Sequence, residues 1–200
     1  AIGPLGFQAD AKGNLTHSQI EEYFSEVVGV LDEGGVDVLV FETFPSLSSL
    51  CMAIEAAQKI SKLPKIVQLT INEEAMSLAE DHPEEIAKTL NALDVQVIGF
   101  NCSMGPKITF DAIAGLHPHT SKYISAQPNA GLPQLIDDRI IYLASPEYFG
   151  VYAKRFVKAG VRIVGGCCGT TPQHIRMIKQ AVLAFSPRIG ELPVPVIKEE

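Results

Sequence analysis

Positive charge is scarce in this 200-residue chain. Its 16 Lys and Arg stand against 23 Asp and Glu, a formal net charge of −7. No basic stripe interrupts that deficit, which argues against a nucleic-acid partner, because phosphate backbones are held by clustered Lys and Arg. Long apolar runs are also missing: none reaches the roughly 18 residues that suggest a membrane helix. The opening AIGPLGFQAD has neither the basic start nor the long apolar stretch of a secretory signal. No GxGxxG follows the first apolar segment, which removes support for a dinucleotide site. Internal repeats and low-complexity tracts are absent. Cysteine is sparse, with four residues. With no signal for export, the default is a cytoplasmic protein whose cysteines are thiols or metal ligands and not disulfides. An initiator methionine is lacking too. AIGPLG reads like a strand entering a loop, the start of a piece whose upstream part is missing.

What is present is a core-forming composition, 46% hydrophobic and 20% charged, sized for one domain. Six apolar runs read as buried strands: 1–6, 36–43, 64–71, 95–102, 123–130 and 161–169. Most are rich in β-branched residues and nearly continuous in hydrophobicity, the pattern of strands covered on both faces. Helical segments alternate with them. THSQIEEYFSEVVGVLDEGG places Ile20, Phe24, Val27, Val28 and Leu31 on one stripe and stops at Gly34 and Gly35. SPEYFGVYAKRFVKAG offers Ser145 as N-cap, Pro146 at the first helical position and Gly160 as a stop; TPQHIRMIKQAVLAF repeats that start with Thr171 and Pro172. Such alternation predicts a parallel sheet of βαβ units. A doubly wound sheet and a (β/α)8 barrel both fit the pattern, and a barrel would need two strands more than the six legible here. The tail, 188–200, reads as an exit linker.

The chemistry collects after the strands. Glu42 and Thr43 end the second, Asn101, Cys102 and Ser103 the fourth, Pro128 to Gly131 the fifth, and Cys167, Cys168 and Gly169 the sixth. The C-terminal ends of strands are where barrels and open α/β sheets build their sites. Three thiolates at one mouth suit Zn2+, which is tetrahedral and thiophilic, and leave its fourth position open. In a regular strand, adjacent cysteines point to opposite faces. At a strand end, Gly165, Gly166 and Gly169 permit backbone angles that turn both sulfurs to one ion, so the pleat is expected to stop at about Gly165 or Gly166. Bland readings stand beside this one. Cys167 and Cys168 also fit inert small hydrophobes or a strained vicinal disulfide. Cys51, on a helix stripe, reads as core. His174 reads as structural. Glu42 directly follows VDVLVF, where a charge is costly unless partnered.

GFNCSMGP, SAQPNAGLP and IVGGCCGTTPQHI together resemble the zinc-dependent homocysteine S-methyltransferases, over essentially the whole chain to about Pro187. The run from Ser145 to Ile175 is most similar to the bifunctional group fused to a methylenetetrahydrofolate reductase. The resemblance implies a (β/α)8 barrel of which strands three to eight are here, with 1–187 an N-terminally incomplete homocysteine-binding domain. It implies Cys102, Cys167 and Cys168 as zinc ligands and as the catalytic centre. It implies Glu42 as the acid that binds the homocysteine amino group. Asn129 would approach the metal when substrate is absent, and Asn101, Ser103 and Gly166 would shape the pocket. The implied reaction moves a methyl group to the homocysteine thiol and yields methionine. The donor is left open among methylfolate, methylcobalamin, S-methylmethionine and betaine, and a fused reductase or a folate or cobalamin module is an implied partner. Other readings are a zinc-binding structural module, a thiol redox module, or a methyltransferase fragment that keeps the ligands without activity.

Overall fold

The computed structural model of the chain describes residues 1–6 and 15–185. The expected linker at 188–200 lies outside the described residues. The elements run α1 His17–Glu33, β1 Leu39–Phe44, α2 Leu47–Ile60, β2 Lys65–Leu69, α3 Pro83–Asn91, β3 Val97–Asn101, α4 Pro106–Leu116, β4 Tyr123–Gln127, β5 Gln134–Ile136, β6 Arg139–Ile141, α5 Pro146–Lys158, β7 Val161–Val164 and α6 Pro172–Val182. Short 3-10 turns follow α4 and α6.

Local chemistry sets the helix limits. Thr16 accepts from the Gln19 N–H while the Gln19 side chain accepts from the Thr16 N–H, a reciprocal cap that starts α1. Ser145 accepts from the Tyr148 N–H ahead of Pro146, as its sequence position predicts. On α1 the buried stripe is Ile20, Phe24 and Val28. Val27, expected with them, is 43% exposed: it falls at the stripe's edge, where no element among the described residues covers it.

Five strands form one parallel sheet in the order β1-β2-β3-β4-β7. The first expected strand is reduced to one parallel bridge, Ile2 to Phe41, with Ile2 N–H donating to Val40 O at 2.7 Å and Glu42 N–H to Ile2 O at 2.9 Å. Pro4 has no N–H with which to continue that ladder. The register separates two faces. Phe41, Val67, Ile98 and Ile124 lie level across β1 to β4 and all are buried against the helices, and β7 joins through a register shift that pairs Val161 with Ile124 and Ile163 with Ser125. On the opposite face Val40, Ile66, Val97 and Tyr123 form one level and Gln68, Gly99, Ser125 and Ile163 the next. Strand alternation puts Glu42 on this second face, opposite Phe41.

Gly99 has a steric reason. The Gln68 side-chain amide crosses it to donate to Ser125 Oγ at 2.9 Å. A Cβ on Gly99 would lie 2.1 Å from Ser125 O and 2.4 Å from its Oγ. The residues from 132 to 143, with no expected element, hold an antiparallel hairpin: β5 pairs with β6, turned by Asp137 and Asp138 at φ 48° and 57°. Both turn residues at positive φ is the geometry of a two-residue hairpin turn.

Candidate metal centre

Two loops carry the cysteines, and a third loop holds both. β3 ends at Asn101, and the next two residues, Cys102 and Ser103, turn through the left-handed region at φ 62° and 55°. Such angles are unfavourable for residues with a Cβ and persist only where surroundings enforce them. Here the Cys102 N–H donates to Gln127 O at 3.1 Å and the Met104 N–H to Cys102 O at 2.7 Å. β7 ends at Val164, so the pleat gives out before Gly165, where the glycines had placed its limit. The Cys167 N–H donates to Pro128 O at 2.8 Å and the Ala130 N–H to Cys168 O at 2.9 Å. Thr170 closes the loop with its hydroxyl on Cys167 O at 2.7 Å. A Cβ on Gly166 would lie 2.4 Å from the Thr170 methyl. Gly169 sits at φ 77°, a conformation that suits glycine.

Asn129, 4% exposed, ties the two cysteine loops together. Its amide donates to Ser103 O at 3.2 Å and its carbonyl accepts from the Cys168 N–H at 3.1 Å. The result is a three-sulfur cluster. The sulfurs of Cys102, Cys167 and Cys168 lie within 4.8 Å of one another, and Cys102 and Cys168 are 3.7 Å apart. A tetrahedral ion with sulfur ligands at about 2.3 Å requires sulfur–sulfur edges of about 3.8 Å. The donor set fits a thiophilic ion without rebuilding the loops.

The sulfurs share their charge unequally. A hydrogen bond from Cys167 holds the Cys102 thiol well below its ordinary value, and the same bond, with burial, pushes Cys167 up. The contact therefore favours the charged form at Cys102 over Cys167. Cys51 stands apart, packed against the core and pushed up to about 11 by burial and then by Glu55 and Asp81, in keeping with its reading as core.

The other expected site residues take distinct places. Asn101 is buried below Cys102. Its Oδ1 accepts from the Thr43 N–H at 2.8 Å and its Nδ2 donates to Thr43 Oγ1 at 2.9 Å, joining the ends of β3 and β1 across β2. Its polar atoms are thus engaged in holding the strand ends. Ser103 contributes its carbonyl to Asn129, and Gly166 the space for Thr170. Glu42 is half-buried on the face that also carries Gln68 and Ser125, and among the described residues its carboxylate has no ion-pair partner.

Two residues beside the cluster escaped the sequence reading or were given a smaller part in it. Tyr142, at the exit of the hairpin, lies against Gly169, where an added Cβ would come within 2.2 Å of the tyrosine ring. Burial, then the charge of Cys168 and a hydrogen bond to it, push the phenol above its ordinary value. His174, read as structural, is buried and spans from Thr171 to Ala144 O. A short run ending in Tyr142 after an Asp-Asp turn was the one available signal for the first. Nothing local marked the second.

Among solved structures, the apo form of the homocysteine methyltransferase MmuM from Escherichia coli matches with a TM-score of 0.72 at 22% identity, covering 90% of this chain and 60% of that one. Its metallated form matches with a TM-score of 0.66 at 24% identity over 80% of this chain and 51% of that one. The 3,6-anhydro-D-galactonate cycloisomerase from Zobellia galactanivorans follows at a TM-score of 0.55 and 16% identity, covering 83% and 42%. These likenesses establish the fold as part of a (β/α)8 barrel, and the chain spans about 60% of the length of the first of them. A family model described as homocysteine S-methyltransferase matches residues 1–182. With that match over nine-tenths of its length, the chain belongs to the homocysteine S-methyltransferase family.

Proposed function

We propose that this chain carries the homocysteine-binding centre of a zinc-dependent methyltransferase that makes methionine. The observation that supports this most directly is the sulfur cluster, three cysteines from two distant loops with one pair at 3.7 Å. Cys102, Cys167 and Cys168 would hold the ion. A bound Zn2+ would keep the homocysteine sulfur deprotonated at neutral pH, where a free thiol is mostly protonated.

The chain's own residues do the rest. Asn129 fixes the spacing of the two cysteine loops through its two hydrogen bonds. Asn101 holds the end of β1 to the end of β3, and with it the strand that bears Glu42. Glu42, without an ion-pair partner among the described residues, is available to the substrate ammonium and would orient the sulfur. Gln68 Oε1 is buried on the same face with no hydrogen-bond partner among the described residues, and offers the ammonium a second acceptor. Ser103 and Gly166 shape the rim. The methyl donor is one of methylfolate, methylcobalamin, S-methylmethionine or betaine, delivered with or without a fused module. Reduced thiols of this kind suit a cytoplasmic setting.

Metal analysis tests the centre. One zinc per chain is expected, lost in Cys102→Ser and Cys168→Ser. Homocysteine should shift the absorption of the cobalt-substituted chain, and Glu42→Gln should weaken that binding about 10-fold or more while the metal stays, since a hydrogen bond to a charged group contributes about 1.5–3 kcal/mol. A chain that takes up no metal, or whose metal ignores homocysteine, overturns the reading.

A further inference from the structure

Gln127 ends β4, directly before the loop that carries Asn129. Its main chain is engaged, with the carbonyl accepting from the Cys102 N–H at 3.1 Å. Its side chain is not. Among the described residues the amide has no hydrogen-bond partner, and neither of its polar atoms is sealed from solvent although the residue is half-buried. Strand alternation fixes where the amide points. Ser125 lies on the face that carries Gln68 and Gly99, and Gln127, two residues on, shares that face. On one side stands Asn101, in register on β3. On the other lies Gly165, whose N–H donates to Ala126 O at 3.0 Å. The Gln127 amide covers this glycine: a Cβ there would come within 3.1 Å of Nε2 and 3.3 Å of Cγ. Gly165 precedes Cys167 by two residues, so the amide borders the sulfur cluster where β3 and β7 end.

The chemistry of this face selects the ligand group that fits there. Glu42 and Gln68 Oε1 are acceptors and suit an ammonium. An amino acid bound between them also brings a carboxylate, next to three cysteines and Glu42. Removing that anion from water is costly unless donors meet it. By the register of the strands, the positions of β1 to β4 on this face hold no Lys or Arg, so the strands can supply only a neutral donor. A Gln or Asn amide offers two N–H bonds. The Asn101 amide is committed to Thr43, and that of Gln68 donates to Ser125. Among the described residues Gln127 is the amide on this face with no such commitment.

Resting on the homocysteine centre proposed above, we propose that Gln127 is a specificity-determining residue of that centre, its side-chain amide donating to the α-carboxylate of the bound amino acid. The site then selects thiols that carry a carboxylate as well as an ammonium. Two thiols test this on the cobalt-substituted chain, with the change in absorption as the measure of binding: homocysteine, and homocysteamine, its analogue without the carboxylate. Gln127→Met keeps the length of the side chain and removes the donors. It should weaken homocysteine binding about 10-fold or more, the effect of one lost hydrogen bond to a charged group, and leave homocysteamine binding unchanged. Gln127→Glu sets a like charge against the carboxylate and should weaken homocysteine further, again without weakening homocysteamine. Cobalt stoichiometry should hold in both variants, and either variant decides the point if the other fails to fold. A loss shared equally by the two thiols marks a general disturbance of the mouth and overturns the role. So does homocysteine binding that is unchanged in Gln127→Met. A wild-type chain whose cobalt spectrum ignores both thiols defeats the underlying homocysteine reading, and this proposal with it, before any variant is compared.

Discussion

Cys102 and Cys51 are both thiols in a cysteine-poor chain, and their surroundings drive them apart. Cys102 accepts a hydrogen bond from Cys167 and a further one from the Ser103 backbone, which lowers its pKa; Cys51 loses hydration beside Glu55 and Asp81, which raises it to about 11. The thiolate is the reactive form. The sign follows: a lowered pKa enriches the thiolate of Cys102 at neutral pH relative to Cys51, which gains reactivity only as the pH climbs towards 11. Iodoacetamide labelling at pH 7, mapped by mass spectrometry, should modify Cys102 at least about 10-fold faster than Cys51. Equal labelling of the two would remove the argument that Cys102 carries the cluster's charge. Adding zinc first should protect Cys102 and leave Cys51 unchanged.

Strands bring that cysteine to its neighbours, and their spacing depends on one missing side chain. Gly99 allows the Gln68 amide to reach Ser125 across β3. In Gly99→Ala the new Cβ meets a backbone oxygen of β4 at 2.1 Å, and a backbone atom cannot swing aside as a side chain can. Overpacking of this kind costs about 1–3 kcal/mol, and here the upper end is expected. Thermal unfolding should fall by roughly 6–12 °C, at about 2–4 °C per kcal/mol for a chain of this size. An unchanged melting temperature would show that β3 and β4 separate freely. The sequence made such strands legible because buried parallel strands are near-continuous apolar runs, and it made the end of β7 legible because glycines there precede two cysteines. It did not show that Asn101 is bound to Thr43, a partner 58 positions away. It did not show the β5–β6 hairpin either. Each of its strands has three residues, all of them exposed, so burial leaves no periodic trace, and Tyr142 was missed with it.

At the scale of the molecule, the five described parallel strands form a sheet with β1 and β7 at its ends. Among the described residues β7 pairs with β4 alone, and the Ile2 segment lies at the opposite end. An unpaired strand edge is a template for another chain, and natural proteins blunt it with charge or cover it. The β7 edge is poorly blunted. It borders a cavity of about 600 Å³ lined by Val97, Tyr123, Val161, Ile163, Ile178 and Phe185, with Arg162 the one charged side chain in the lining. The chain on its own should therefore self-associate as its concentration rises, through this edge, which light scattering would detect. Ile163→Lys places a second charge on the edge and should shift the distribution towards monomer while leaving metal stoichiometry intact, because residue 163 lies on the strand before the cysteine loop begins. A wild-type chain that stays monomeric at high concentration would show that the edge is already protected. Association that persists unchanged in Ile163→Lys would move the contact to another surface, for which the exposed Leu135 and Ile140 of the hairpin, 73% and 68% accessible, are the next apolar candidates.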